Sequence, residues 1–154
     1  MGRNPKNSGF TLIELLLVVA MIGIVSVAAM PVLMDTLTRN DVNVALTTSA
    51  QATRRANLLS RAAEGDRAWG IHFENSNIAI FKCPSTGGCT FAGRNNAETD
   101  YDENFSISSA INVTGTTEYL FTKLSGLTSA GTTTLTSGST VKNLTVNNNG
   151  IVNY

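Results

Sequence analysis

An apolar segment near the N-terminus constrains this chain more than any other feature. From Leu15 to Met34 the only polar side chain is Ser26. A helix of this length, rising about 1.5 Å per residue, covers roughly the 30 Å hydrocarbon core of a bilayer. The polar stretch before it carries Arg3 and Lys6, and the positive-inside bias keeps such a stretch in the cytoplasm. The sequence therefore predicts a membrane-spanning helix, with the bulk of the protein outside the cytoplasm.

Two common alternatives leave one residue of this region unexplained. A cleaved secretory signal, with Ser26 and Ala28 at its cleavage site, and a plain membrane anchor both account for the apolar run. Neither accounts for Glu14, which lies between Ile13 and Leu15. An acid inside a bilayer is unfavourable and is by default functional. Because no Lys or Arg lies nearby on the same helix face, we expect the partner of Glu14 on another molecule or at a chain terminus.

The residues around this acid resemble a known signal. The segment GFTLIEL at 9–15, followed by the apolar run with Gly23 and Pro31, resembles the class III signal of type IV pilins and type II secretion pseudopilins. The resemblance implies that a prepilin peptidase cuts between Gly9 and Phe10 and methylates the new N-terminus at Phe10. It also implies that Glu14 meets the positive N-terminus of a neighbouring subunit during assembly. An amine and a carboxylate buried together need not each remain an isolated charge.

Beyond Pro31 the helical pattern continues in a different style, from Asp35 to about Glu64. Charges appear there, and the apolar residues become small and fall on one narrow stripe at 100° per residue. The stripe consists of Ala45, Ala52, Ala56, Leu59 and Ala63. Such a stripe suits a helix laid on a sheet, and Gly65 is expected to be its C-cap. Proline at 31 removes a backbone donor, so a break near it is an alternative to one continuous helix.

The remaining residues predict a β-rich head. The runs Trp69–Phe73 and Ile78–Lys82 flank the polar segment 74–77, a pattern typical of a hairpin. Further strands are expected at 90–92, 105–107, 111–113, 119–124, 132–136, 141–146 and 151–152. The Thr-, Ser-, Gly- and Asn-rich stretch 114–150 keeps apolar residues at strand spacing, so we interpret it as exposed β-structure with long loops and not as disorder.

Together these patterns and the resemblance to the pilin signal imply four segments and one fold class. Residues 1–9 form a prepilin leader peptide, 10–34 a transmembrane or filament-core helix, 35–64 the amphipathic half of the same helix, and 65–154 the globular head. The fold class is α+β and pilin-like, with one long N-terminal helix packed against a C-terminal antiparallel β-rich head.

The head also carries a weaker resemblance, to H-type minor pseudopilins and FimT-type minor pilins. It rests on WGIHF at 69–73, IAIF at 78–81, GRN at 93–95, and LTVN at 144–147 leading to Gly150-Ile151. The resemblance implies two β-sheets against the long helix. Some FimT-type relatives bind DNA through a basic C-terminal segment, but here the tail 147–154 has no Lys or Arg and the nearest cation is Lys142. Without phosphate-neutralising charges, nucleic acid is not an expected partner.

Cys83 and Cys89 frame a short turn between predicted strands. Outside the cytoplasm such a pair more often forms a disulfide than stays free. A metal site lacks ligands because His72 is the only histidine, and the spacing does not match a redox CxxC motif. The sequence therefore predicts a structural disulfide.

An acidic segment follows at 100–104. Asp100, Asp102 and Asn104 echo the first ligands of a calcium loop, but Phe105 and Ile111 stand where that loop needs Gly and Glu. A solvated acidic loop is the favoured interpretation, and calcium is the weaker alternative. No catalytic constellation is evident, so neither an enzyme nor a cofactor is expected.

These features predict a minor pseudopilin or minor pilin, with a major pilin of the filament shaft as one alternative. A signal-anchored or secreted β-domain that binds a ligand and does not polymerise is another. The expected partners are sister subunits, the prepilin peptidase, the inner-membrane assembly platform and the membrane. The expected location is the bacterial inner membrane, with a single pass and the head outside, and then a periplasmic pseudopilus or an extracellular pilus.

Overall fold

The computed structural model describes residues 9–85, 89–94 and 99–154, apart from the side chains of 27–33. Residues 1–8 of the predicted leader, the centre of the cysteine-framed turn at 86–88, and Asn95 of the resemblance in the head lie outside the described residues. The chain forms two compact units, Met1–Leu37 and Thr38–Tyr154. Each unit contains part of the helix α1, Leu12–Arg61.

Helix α1 begins after a threonine that caps it. The carbonyl oxygen of Thr11 accepts hydrogen bonds from the backbone N–H groups of Glu14 at 3.1 Å and Leu15 at 3.2 Å, and the Thr11 hydroxyl accepts from Glu14 N–H at 3.3 Å. These bonds satisfy N–H groups that the first turn would otherwise leave unpaired. The helical backbone continues through position 31 without a break, so the alternative of a proline-induced interruption is wrong.

The C-terminal end of α1 differs from the sequence prediction. The helix ends at Arg61, three residues before Glu64, and Ala63 adopts left-handed dihedral angles (φ 51°). The expected C-cap at Gly65 is therefore wrong, since Gly65 (φ 61°) lies within the short 3-10 helix Glu64–Asp66. Contacts with the head explain the earlier ending, because the Ser60 carbonyl accepts a hydrogen bond at 2.9 Å from the N–H of Leu124, in the loop after residue 121.

Eight strands form the head within the described residues. They are β1 Trp69–Phe73, β2 Asn77–Lys82, β3 Glu103–Ser106, β4 Asn112–Gly115, β5 Glu118–Phe121, β6 Gly131–Ser137, β7 Thr140–Val146 and β8 Val152–Asn153. They form two four-stranded sheets with the orders β3-β2-β1-β5 and β4-β6-β7-β8, and the paired strands are antiparallel. This arrangement confirms the α+β class and the predicted hairpin β1–β2.

One predicted strand, at 90–92, is wrong. Thr90 begins a tight turn instead, in which its carbonyl and its hydroxyl accept hydrogen bonds from Gly93 N–H at 3.2 and 3.1 Å. The N–H of Phe91 donates to the Glu118 carboxylate at 3.2 Å and joins no strand ladder. A three-residue apolar pattern could not reveal this, because the partner of Phe91 lies on a strand far along the chain.

The core lies between the second half of α1 and the two sheets. On the helix, Ala45, Ala52 and Ala56 of the predicted stripe are buried, and Leu59 packs against the core at its edge. Ala63 lies beyond the helix end and is half-buried. Both sheets alternate inward and outward residues, and the large side chains buried in this core include Tyr119, Phe73, Phe121, Ile71 and Ile78. The alanine stripe therefore faces the core, as the sequence predicted.

Candidate functional site

The first half of α1 is the part of the molecule that the sequence singles out for function. Its large apolar side chains, from Leu12 to Val25, are exposed along the helix, and Phe10 before it is 85% exposed. A helix that is apolar on all sides is usually buried in a large core or a membrane, so this surface is one that needs a partner. Within the described residues, no helix is both long enough and apolar enough to cross a membrane.

Glu14 lies in the first turn of this helix. The backbone bonds to Thr11 fix its position, and the helix dipole favours a carboxylate at an N-terminus. Among the described residues, no cation lies within ion-pair distance of the Glu14 side chain. Gly9 and Phe10 precede the helix in non-helical conformation. Gly9, Phe10 and Glu14 are thus all exposed, and the Glu14 carboxylate lies about one helical turn from the peptide bond between Gly9 and Phe10.

The second predicted site, the cysteine pair, is a disulfide in the structure. Cys83 follows β2 directly and is bonded to Cys89, with Cα atoms 5.2 Å apart. Cys83 is almost fully buried. The bond therefore ties the end of a central strand to the segment that follows.

That segment, residues 89–94, packs on the outer face of the first sheet, and we call it the cover segment. Phe91 stacks on His72 with ring centroids 4.3 Å apart, and meets Phe81 edge-on at 5.5 Å. The Arg94 guanidinium lies 4.3 Å from the Phe91 ring centroid and 4.9 Å from that of Phe81. Gly70 makes room beneath, because a Cβ there would lie 2.4 Å from the Phe81 ring.

Sequence reasoning missed this cluster. The His72 side chain is 20% exposed, with Nδ1 3.4 Å from Glu118 and Nε2 3.5 Å from Glu74. Arg94 forms an ion pair with Asp102, and their side chains are only 4% and 10% exposed. The sole signal in the sequence was the cysteine pair, which marks the start of the cover segment but not its packing partners.

The structure does not bring the calcium candidates together. Asp102 is paired with Arg94, the side-chain oxygen Oδ1 of Asn104 accepts a hydrogen bond from Asn77 Nδ2 at 2.9 Å, and Asp100 is exposed. Over the described parts of the chain, no three His, Cys, Asp or Glu side chains form a group that could hold a metal ion. The Asp102 carboxylate thus forms an ion pair with Arg94.

Two further ion pairs tie the end of α1 and the 3-10 helix to the sheets. Arg55 donates to Glu103 on β3, with one contact of 2.6 Å, and the hydrogen bond and the charge of Glu103 both raise the pKa of Arg55. Lys123 pairs with Asp66, and this hydrogen bond, followed by the lysine charge, lowers the pKa of the Asp66 carboxyl. Both pairs are largely exposed, so they position the elements and add little stability.

Comparison with known proteins supports the interpretation of the N-terminal segment as a class III signal. Residues 4–30 match the family described as the prokaryotic N-terminal methylation motif, the class III signal. No curated protein and no solved structure matches the chain. The match supports a place in the type IV pilin-like superfamily and points to a structural subunit. It stops at residue 30, so it does not reach the head.

Proposed function

We propose that this protein is a minor pseudopilin or minor pilin, a structural subunit of a type II secretion pseudopilus or a type IV pilus. The observation that carries the proposal is the methylation motif at residues 4–30. This motif includes the start of helix α1, whose apolar side chains are exposed there. Such a helix is unfavourable in water and is stable where lipid or sister helices cover it; between lipid and a bundle, helix packing and polar contacts between helices decide the preference.

In this proposal the segment 1–9 is a leader that a prepilin peptidase removes between Gly9 and Phe10. The new amine at Phe10 is methylated, and the segment 10–34 holds the subunit in the inner membrane with the head outside the cytoplasm. The assembly platform then transfers the helix from lipid into a bundle of sister helices. The apolar surface exchanges one apolar surrounding for another, so the transfer needs no large change in burial.

Glu14 would supply the register of that bundle. In lipid or in a helix bundle, a carboxylate is stabilised where a positive group lies beside it and is unfavourable elsewhere. The N-terminus of a neighbouring subunit, at its Phe10, is a positive group that every copy carries. Helix positions along the filament axis that bring the Glu14 carboxylate next to the amine of a neighbouring Phe10 are therefore favoured over other positions. A single acid can in this way select one axial register of the helices.

The head fits a subunit of the H type in outline. It has two four-stranded antiparallel sheets against one helix, as the resemblance of the head implies. Its single histidine lies between two glutamates and a phenylalanine ring. These observations support assignment to the minor subunits and not to the major subunit that builds the filament shaft.

The first test is the N-terminal peptide of the natural protein, identified by mass spectrometry separately in membranes and in sheared surface material. We expect a methylated start at Phe10. Dominance of this chain in the sheared material would indicate a major pilin instead. A start at Met1, or just beyond Ala28, would replace the filament proposal with an anchored or secreted binding domain.

The second test is substitution of the acid. We expect Glu14→Ala and Glu14→Leu to insert in the membrane normally but to enter filaments at least about tenfold less, because a buried amine would lose its carboxylate. Glu64→Ala removes an exposed carboxylate outside the motif and serves as the matched control. Normal incorporation of both Glu14 variants would remove the role assigned to this residue.

A further inference from the structure

The outer face of the second sheet is a regular surface of neutral polar side chains. Along β6 and β7, Thr133, Leu135 and Leu144 are fully buried, so the residues between them point away from the core. We call this outward surface the threonine face. It is made of Thr114, Thr132, Thr134, Thr136, Asn143 and Thr145.

The strand register places these side chains on a grid. Thr134 lies between Thr114 on β4 and Asn143 on β7, and Thr132 lies opposite Thr145, with hydroxyl oxygens 3.4 Å apart. The pairing of β6 with β7 is unbroken from Gly131 to Ser137. Neighbouring strands are about 4.8 Å apart, and alternate residues of one strand are roughly 6.7 Å apart. Because threonine side chains are β-branched, few rotamers are open to them and the grid is stiff.

The threonine face has no charge. Lys142 is the only charged residue between positions 124 and 154. It lies opposite the buried Leu135 in the strand register, so it is on the other side of the sheet from the threonine face. Three neutral residues, Asn112, Val141 and Asn153, border the face on its own side of the sheet. Exposed sheets usually carry Lys, Glu or Asp, which keep other strands and surfaces away.

Within the described residues, most polar groups of this face have no hydrogen-bond partner in the protein. Apart from the contact between Thr132 and Thr145, no side-chain hydrogen bond involves the threonine face in the described part of the chain. Most of its side chains are exposed, and Thr134 and Thr136 are half-buried. The hydroxyls and the Asn143 amide are therefore open to an external partner.

The chemistry of the face narrows the class of that partner. Each hydroxyl and each Asn side chain can both donate and accept a hydrogen bond, as sugar hydroxyls do. A nucleic acid or an acidic polymer would lack the cationic side chains that supply most of its binding energy. A protein interface usually centres on aromatic or large aliphatic side chains, and Val141 at the border is the single one in this outward set.

We propose that the threonine face binds a neutral polysaccharide. An extended glycan lying across the strands presents hydroxyls that match a grid of groups that donate and accept. The stiff side chains lose little conformational freedom when they bind it. This inference does not depend on filament assembly, and it assigns the head a target of stated chemistry.

The test is sedimentation of the full-length protein with microcrystalline cellulose, a neutral β-linked polysaccharide. The protein is kept in a detergent with a polyethylene glycol headgroup, because a sugar headgroup would compete. We expect saturable retention, and we expect it to be at least tenfold weaker for the triple variant Thr114→Val, Thr134→Val, Thr145→Val. Each substitution keeps the β-branch and removes one hydroxyl, and a lost hydrogen bond lowers affinity several-fold.

The control is Thr47→Val, which removes an exposed threonine hydroxyl from α1 that bonds only to its own helix. It is expected to bind cellulose as the unchanged protein does. Near-ultraviolet circular dichroism, to which the buried Trp69 contributes, checks that each variant keeps its fold.

Three results would overturn the proposal. The first is no retention of the unchanged protein on cellulose or on cross-linked dextran. The second is equal retention of the triple variant. The third is self-association or adsorption to ice crystals through the threonine face without retention on either polysaccharide, which would assign the face to a second copy of the chain or to ice.

Discussion

Removal of the Cys83–Cys89 disulfide is the most direct test of how the head is stabilised. The double substitution Cys83→Ala, Cys89→Ser opens a loop that closes over a sequence separation of 6 residues, and alanine at the buried position 83 adds no polar group. In the chain-entropy description, a bond across so short a loop contributes about 2 kcal/mol, mostly by restricting the unfolded chain. For a domain of this size, that loss lowers the melting temperature by roughly 5–10 °C.

The structure indicates why the loss should stay near this value. The cover segment is held by contacts that the bond does not make, namely the stacking of Phe91 on His72 and the ion pair of Arg94 with Asp102. We expect these contacts to persist when the disulfide is removed, so Phe81 beneath them should remain buried. Only the entropy of the unfolded loop should then change, and the native fluorescence of Trp69 should not.

The assay is guanidinium unfolding followed by the fluorescence of Trp69, the only tryptophan, which is 5% exposed. Reduction of the unchanged protein should shift the midpoint as the double variant does. Ser85→Ala, an exposed substitution in the same loop, is the control and should shift it by less than about 0.5 kcal/mol. An unchanged midpoint in the double variant would refute the reasoning. A loss of more than about 4 kcal/mol in the free energy of unfolding would also refute it, because the disulfide would then be the main support of the cover segment.

Two further predictions concern ion pairs of the head. Arg94→Met should lower the free energy of unfolding by roughly 3–5 kcal/mol in chemical denaturation, because the Asp102 carboxylate would stay buried without its partner. Adding Asp102→Leu should recover most of that loss. A loss below about 1 kcal/mol in the single variant would contradict this prediction. The Asp66 pair should appear in an NMR pH titration as a midpoint below the ordinary aspartate value, and Lys123→Met, but not Lys142→Met, should restore the ordinary value. Since the folded pKa is the lower one, the small stabilisation from Asp66 is present above the unfolded pKa and is lost as the pH falls through the folded pKa.

Local patterns were enough to predict most elements of this protein. The strand at 69–73 was predicted with its observed bounds, and the alanine stripe of α1 identified the buried helix face. These features depend on the period of the side chains, which is 3.6 residues in a helix and two in a strand, so a few neighbouring residues determine them. The apolar run and the acid at Glu14 belong to the same class of local signal.

The errors occurred where a distant partner competes with a local preference. The end of α1 moved from Glu64 to Arg61 because Leu124 uses the Ser60 carbonyl. The segment 90–92 became a turn because Glu118 captures the N–H of Phe91. Neither partner is adjacent in sequence, and no local pattern reports which of many polar groups will be in reach after folding.

The sequence by itself thus determined the elements, the exposed apolar helix with its single acid, and the cysteine pair. Only the tertiary structure decided that β1 pairs with both β2 and β5, that the cover segment lies over Phe81, and that the threonines of β4, β6 and β7 line up on one uncharged face. The physical reason is that strand pairing joins residues far apart in the chain. Its register depends on the packing of the whole core, which no short segment encodes.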